Sequence, residues 1–316
     1  MKRISTFAIF ESTYEDIQLL APEQVRLISD GIRKNSNGSN IWSVNKKTGK
    51  VDLDATFSYS NRSVKIVDLK GIQFGNVTGE FSLACNAMET LDGAPSEVWG
   101  SFSCKDNRLT SLEGAPAVVG GSFDCSSNRL TSLEGAPKKV AGFNCSINAL
   151  TSLEGAPESS KSFICVSNKL VSLEGAPKRV NGNFICNGNL LTSLQGGPEI
   201  VTGSFYCEDN DLVTLADAPQ QVGEEFVADG IGIAAGKYNT EGVLEHITNK
   251  EPDVHVIKLL MTLPFIDDES IADVIKRSDN HTKLINVLKE VGKWERVKPL
   301  LGTGADQAES LADLGF

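Results

Sequence analysis

Between Gly79 and Phe226 the hydrophobic positions recur with a period of 20 or 21 residues, and each unit arranges them alike. Gly121 to Val140, GSFDCSSNRLTSLEGAPKKV, stands for the rest: G-x-F-x-C-x-x-N-x-L-T-S-L-E-G-A-P-x-x-V. Self-similarity at so short a period predicts stacked coils, each burying its apolar side chains against the next. Phe and Cys lie two residues apart, as in Phe123 and Cys125, so a short strand turns both to one face, the inner one. Two leucines, such as Leu130 and Leu133, and a valine column (Val98, Val119, Val140, Val180, Val201, Val222) complete the core, with Ser160 in one valine place. The asparagines Asn107, Asn128, Asn148, Asn168, Asn189 and Asn210 fall where the chain leaves the strand. Asparagine accepts left-handed backbone and bonds turn amides, so the column predicts a ladder at that corner. Gly-Ala-Pro makes the other corner. Coils this short have no room for a full helix. The pattern predicts one sheet of short parallel strands with extended or turn-like chain opposite.

Outside the repeat the pattern changes. Residues 1–50 read as an N-terminal helical or irregular cap, with one or two helices over residues 14–35 and Pro22 near a start. The solenoid is assigned to residues 51–230, with irregular first coils from Val51 to Val77. Its first full rung is degenerate: Leu83 takes the cysteine column, and Cys85 is two positions out of register. A glycine-containing junction follows Ala228. From about Asn239 the period becomes helical, and EGVLEHIT, DVHVIKLLMTL, ESIADVIKRS and TKLINVLKEVGKWERVKPLL predict four short amphipathic helices. They make residues 238–303 a small all-α domain, and residues 304–316 an acidic tail.

The core F-x-C-x-x-N-x-L maps onto the leucine-rich-repeat core L-x-L-x-x-N/C-x-L, with Phe and Cys in place of the first two leucines. The strings NRLTSLEGAP and GSFDCSSN, with the lead-ins Gly49 to Leu53 and Phe74 to Gly79, resemble short leucine-rich-repeat proteins of large tailed bacteriophages. The resemblance covers roughly residues 40 to 225. It implies a leucine-rich-repeat solenoid encoded by a phage, working in the host bacterial cytoplasm or in the virion, with no established catalytic activity and no cofactor.

Composition narrows the function classes. The chain is 40% hydrophobic and 22% charged, an ordinary core-forming balance. A net charge of -11 and a pI of about 4.9 repel nucleic-acid phosphates and anionic membranes, so neither is expected as a partner. Without an apolar run of about 18 residues, the expectation is a soluble, unsecreted protein. All seven cysteines lie in the central part and form no CxxC pair, which predicts buried thiols acting as small hydrophobes rather than a metal or redox site. The column Glu113, Glu134, Glu154 and Glu174, flanked by Asp92 and Gln195, reads as a solvated edge moderated by Lys138, Lys139, Lys178 and Arg179. His246, His255 and His281 lie in the helical part without a local cysteine, and no nucleotide fingerprint appears. No catalytic or metal site is predicted. A ubiquitin-ligase effector with 20-residue leucine-rich repeats would need a catalytic cysteine in its helical part, and residues 208–316 contain none.

The chemistry that remains is on the outer face. The position between Phe and Cys points outward and reads Ser82, Ser103, Asp124, Asn144, Ile164, Ile185, Tyr206, Val227, turning from polar to apolar halfway. Val166 joins the apolar half. An exposed apolar patch marks an interface. The candidate partner-binding residues are therefore Ile164, Val166, Ile185, Tyr206 and Val227, with Asp124 and Asn144 at the polar end. Two readings stay open: a concave surface presented to a protein partner, or an internal contact covered by the C-terminal helices. A host-factor inhibitor that acts by binding, and a virion component of tail or capsid with the solenoid as spacer, are the functional alternatives. The tail Ser310 to Phe316 is either a docking peptide or a disordered end.

Overall fold

The computed structural model describes residues 19–33, 42–60, 65–234, 236–239, 241–243, 246–247, 254–277 and 281–304. It divides into two compact units, residues 1–169 with 175–177, and residues 170–174 with 178–316. Both contain parallel-strand β-solenoid coils, as the repeat predicts.

In the first unit the main sheet runs in the order Ile32–Arg33, Thr56–Ser58, Phe81–Ser82, Phe102–Ser103, Phe123–Asp124, Gly142–Asn144, Ser162–Ile164. All pairs are parallel except the first, in which Ile32 lies opposite Phe57 in an antiparallel pair that closes the sheet edge. This register stacks Phe57, Phe81, Phe102, Phe123, Phe143 and Phe163, with ring centroids 4.7 to 5.9 Å apart. Full burial of one such ring is worth about 1.5–3 kcal/mol, and each ring pair adds about 0.5–1.5 kcal/mol. Leu83 occupies the cysteine column, fully buried, with its N–H donated to the Ser103 carbonyl. Helix Pro22–Gly31 packs at this end; Pro22 suits its first turn, the Ala21 N–H donates to Gln24 Oε1, and Val25, Leu27 and Ile28 are buried. Residues 14–18 and 34–35 of the predicted helical cap lie outside the described residues.

On the valine side, where extended or turn-like chain is expected, the chain is extended and also pairs between coils. Val51–Leu53, Phe74–Val77, Glu97–Val98 and Val118–Val119 form a second parallel sheet, led by an antiparallel Trp42–Val44. In the second unit Arg179–Val180, Ile200–Val201 and Gln221–Val222 pair the same way. Coils held at strand spacing on one side bring the valine segments within pairing distance on the other, and β-branched residues suit extended backbone.

Two corners shape each coil. At Gly155, φ is +87°, and a Cβ would lie 2.7 Å from the Glu134 nitrogen of the preceding coil, so only glycine fits. At the other corner the left-handed residue is the one before the asparagine, not the asparagine itself: Asp106, Ser127, Ile147, Ser167, Gly188 and Asp209 all have φ between +54° and +67°. The asparagine side chain is left to bond outward from the turn. Asn148 Oδ1 accepts the Leu130 N–H of the preceding coil, while its Nδ2 donates to the carbonyls of Cys125, Cys145 and Ser146. Asn86 begins the ladder one coil before the asparagines picked out from the sequence.

In the second unit Phe184–Ile185, Phe205–Tyr206 and Phe226–Ala228 run parallel, closed by antiparallel Ile231–Ile233. The ring stack of Phe184, Phe205 and Phe226 continues into Tyr238, whose hydroxyl donates to the Pro219 carbonyl and whose ring meets Phe265 edge-on. Among the described residues, 241–243 and 246–247 are helical, and further helices run over Val254–Leu260, Asp268–Arg277, His281–Glu290 and Trp294–Val297, followed by a 3-10 turn, Lys298–Gly304. The fourth predicted helix is split, because Gly292 turns left-handed (φ +71°) and the Lys293 N–H returns to the Leu288 carbonyl. Parts of the predicted helix at 241–248 and of the tail at 304–316 lie outside the described residues. Among the described residues no helix is long and apolar enough to cross a membrane.

Candidate interaction face

Side chains alternate across a strand, so residues one before, one after and three after each phenylalanine share the outer face. In the first unit this gives successive rows Glu80/Ser82/Ala84, Ser101/Ser103/Lys105, Ser122/Asp124/Ser126, Gly142/Asn144/Ser146 and Ser162/Ile164/Val166. The polar rows bond among themselves: Ser126 Oγ donates to Asp124 Oδ1 at 2.6 Å, the Ser146 N–H donates to Asn144 Oδ1, and the Val166 N–H donates to Ser146 Oγ. Asp124 and Asn144 thus spend acceptor capacity on their own turns. Ile164 lies opposite Asn144 and is half-buried, as is Val166.

In the second unit the rows are Asn183/Ile185/Asn187, Ser204/Tyr206/Glu208 and Glu225/Val227/Asp229. Ile185 lies opposite Tyr206, and Tyr206 opposite Val227, so the three form one apolar column. All three are half-buried. The Tyr206 hydroxyl donates to Glu225 Oε2 at 3.2 Å. The helical part of this unit meets the end of the last coil, where the Leu215 N–H donates to Thr262 Oγ1 and Tyr238 stacks on Phe226. Docking at the coil end leaves the outer column part-exposed to solvent.

Two further groups of side chains bear on chemistry, the cysteines and the glutamate column. Cys104, Cys125, Cys145, Cys165, Cys186 and Cys207 are fully buried and unbridged. The thiols of Cys125, Cys145, Cys186 and Cys207 donate to the outer-column carbonyl of the next coil at 3.4 to 3.6 Å. Burial holds Cys104, Cys125, Cys145, Cys165 and Cys207 protonated, far above the ordinary thiol range. Such thiols are neither nucleophiles nor ready ligands. The glutamate column is exposed, and the amides of Glu113, Glu134 and Glu174 donate to Ser111, Ser132 and Ser172, which shape the turn. Among the described residues no three His, Cys, Asp or Glu side chains cluster to hold a metal.

One contact candidate was not picked out from the sequence. Ile147 is 57% exposed with φ +56°, a conformation that costs a β-branched residue about 1–2 kcal/mol. Its N–H donates to the carbonyl of Val166, which puts it beside the Ile164/Val166 row. Equivalent turns use Asp106, Ser127 and Ser167. Ile147→Asn should therefore raise the unfolding free energy by about 1 kcal/mol in urea titrations; a loss of that size would mean that the isoleucine is held by packing instead. Its signal in the sequence was an aliphatic residue where its column is otherwise mostly small or polar.

Comparison of the chain with protein-family models, with curated proteins and with solved structures finds no match.

Proposed function

We propose that this protein is a non-enzymatic binding module that presents the outer face of its coils to a protein partner. The observation that carries the reading is the Ile185, Tyr206, Val227 column: aromatic and aliphatic side chains on outward strand positions, part-exposed, on paired parallel strands. A rigid scaffold loses little entropy on binding, and buried tyrosine and aliphatic anchors dominate interface energies. The phage resemblance of the repeat extends the proposal to a phage-encoded protein acting in the infected bacterium on a host or phage protein, including by inhibiting a host factor.

The test is affinity purification of the tagged chain from infected bacterial cells, with quantitative mass spectrometry, beside the double variant Ile185→Asp, Tyr206→Asp. One protein recovered with the parent and depleted about tenfold or more with the variant supports the reading. An undiminished partner sinks it. Recovery of capsid or tail proteins alone, with the chain present in purified particles, would favour the virion role.

A further inference from the structure

Between Asn181 and Gly236 the chain carries eight carboxylates and no lysine or arginine. The outer face of the second unit gathers several of them around the apolar column. Glu225, with Glu224 next to it, flanks Val227 on one side, and Glu208 and Asp229 flank Tyr206 and Val227 on the other. Hydrogen bonds hold these carboxylates in place: Glu225 accepts from the Tyr206 hydroxyl, Glu224 from Ser204 Oγ at 3.0 Å, Glu208 from Asn187 Nδ2 at 3.2 Å, and Asp229 from the Asp209 N–H at 2.8 Å. An ionised carboxylate accepts several donors, so each retains capacity for a cation.

Carboxylates gathered on neighbouring rows repel one another, and this stretch of chain itself supplies no lysine or arginine. An anionic partner would add to the repulsion, and a purely aliphatic one would bury carboxylates without pairing them. A cationic partner removes both penalties, and its lysine or arginine can also lie on the Tyr206 ring. We infer that the partner presents a basic apolar segment, in which lysine or arginine is interspersed with aliphatic side chains: the aliphatic groups cover Ile185, Tyr206 and Val227, and the cations meet Glu208, Glu225 and their neighbours. This inference rests on the interaction reading and gives that face its partner chemistry.

The experiment uses the full chain and a short fluorescent peptide of alternating leucine and lysine, with leucine–glutamate and serine–lysine peptides for comparison, read by anisotropy at low and physiological salt. The leucine–lysine peptide is expected to bind, and to weaken with added salt. Glu208→Lys with Glu225→Lys should reduce its affinity about tenfold. Glu113→Lys with Glu134→Lys changes the net charge equally on the turn column and should leave affinity within about twofold. Glu208→Gln with Glu225→Gln, which removes the charges with little change of shape, should give an intermediate loss and guards against misfolding. Equal losses from the two lysine pairs would show that the peptide senses only net charge, and would overturn the inference. So would equal binding of the leucine–glutamate or serine–lysine peptide. If the partner captured from cells depends on Ile185 and Tyr206 but ignores the charge variants, the basic partner is refuted while the interaction face stands; if it ignores both, both fail.

Discussion

Raising the pH from 8 to 10 is expected to cost the fold on the order of 10 kcal/mol, through thiols rather than surface charge. Cys104, Cys125, Cys145, Cys165 and Cys207 are each held protonated by burial, far above the ordinary thiol range. In the unfolded chain they ionise near pH 8.5, roughly the value of a free thiol. Above that pH the unfolded state binds fewer protons than the folded one, so unfolding releases protons and becomes easier as pH rises. The stabilisation is fully present below the unfolded value and is lost steadily above it, at about 1.4 kcal/mol per pH unit for each thiol. Urea titrations at closely spaced pH values between 8 and 10 measure this slope. Cys145→Ala should lower stability at pH 7 by its cavity, yet flatten the alkaline slope by one thiol's share. Any other group that titrates in the alkaline range contributes alike in the parent and in Cys145→Ala. A slope that is the same in the parent and in Cys145→Ala would mean that the column is hydrated.

The second large effect is expected at the asparagine ladder. Asn148→Ala removes one side chain and strands the Leu130 N–H together with the second bonds of the Cys125, Cys145 and Ser146 carbonyls. The unpartnered Leu130 N–H costs about 1–3 kcal/mol and each of the three lost carbonyl bonds about 0.5–1.5 kcal/mol, so a loss of about 3–5 kcal/mol follows, in the range that unfolds a marginal domain. Asn148→Asp keeps an acceptor for Leu130 but turns a charged oxygen toward three carbonyls, and should be at least as harmful. The exposed neighbour Thr151→Ala serves as control and should stay within about 0.5 kcal/mol. If Asn148→Ala resembles Thr151→Ala, water replaces the amide and the ladder is not what ties the coils together at this corner.

The interior of the solenoid was readable from the sequence because a fixed period turns every column into a stack. Phe102 to Phe205, the cysteines and the valines are buried where the period puts them, and even Leu83 substitutes for cysteine in the degenerate rung. What escaped depends on neighbouring coils. The second sheet is made of segments mostly two residues long, too short for a strand signal of their own, and exists because the coil spacing brings their backbones together. The left-handed residue varies among Asp, Ser, Ile and Gly, so the invariant asparagine beside it drew the turn assignment instead. On the outer face, the column of Ile185, Tyr206 and Val227 was visible from alternation alone. The surrounding acidity was not, because the whole-chain charge of -11 averages a stretch without cations against coils that carry lysines and arginines.

The most direct measurement of the central claim is photo-crosslinking in infected bacterial cells, with a photoreactive residue placed at Tyr206 or at Val213. Val213 is 68% exposed and lies on the leucine segment of its coil, so it controls for mere exposure of an apolar side chain. The outer-face account predicts a discrete crosslinked partner from position 206 and none from 213. Crosslinking of the same partner from 213 and not from 206 would contradict it.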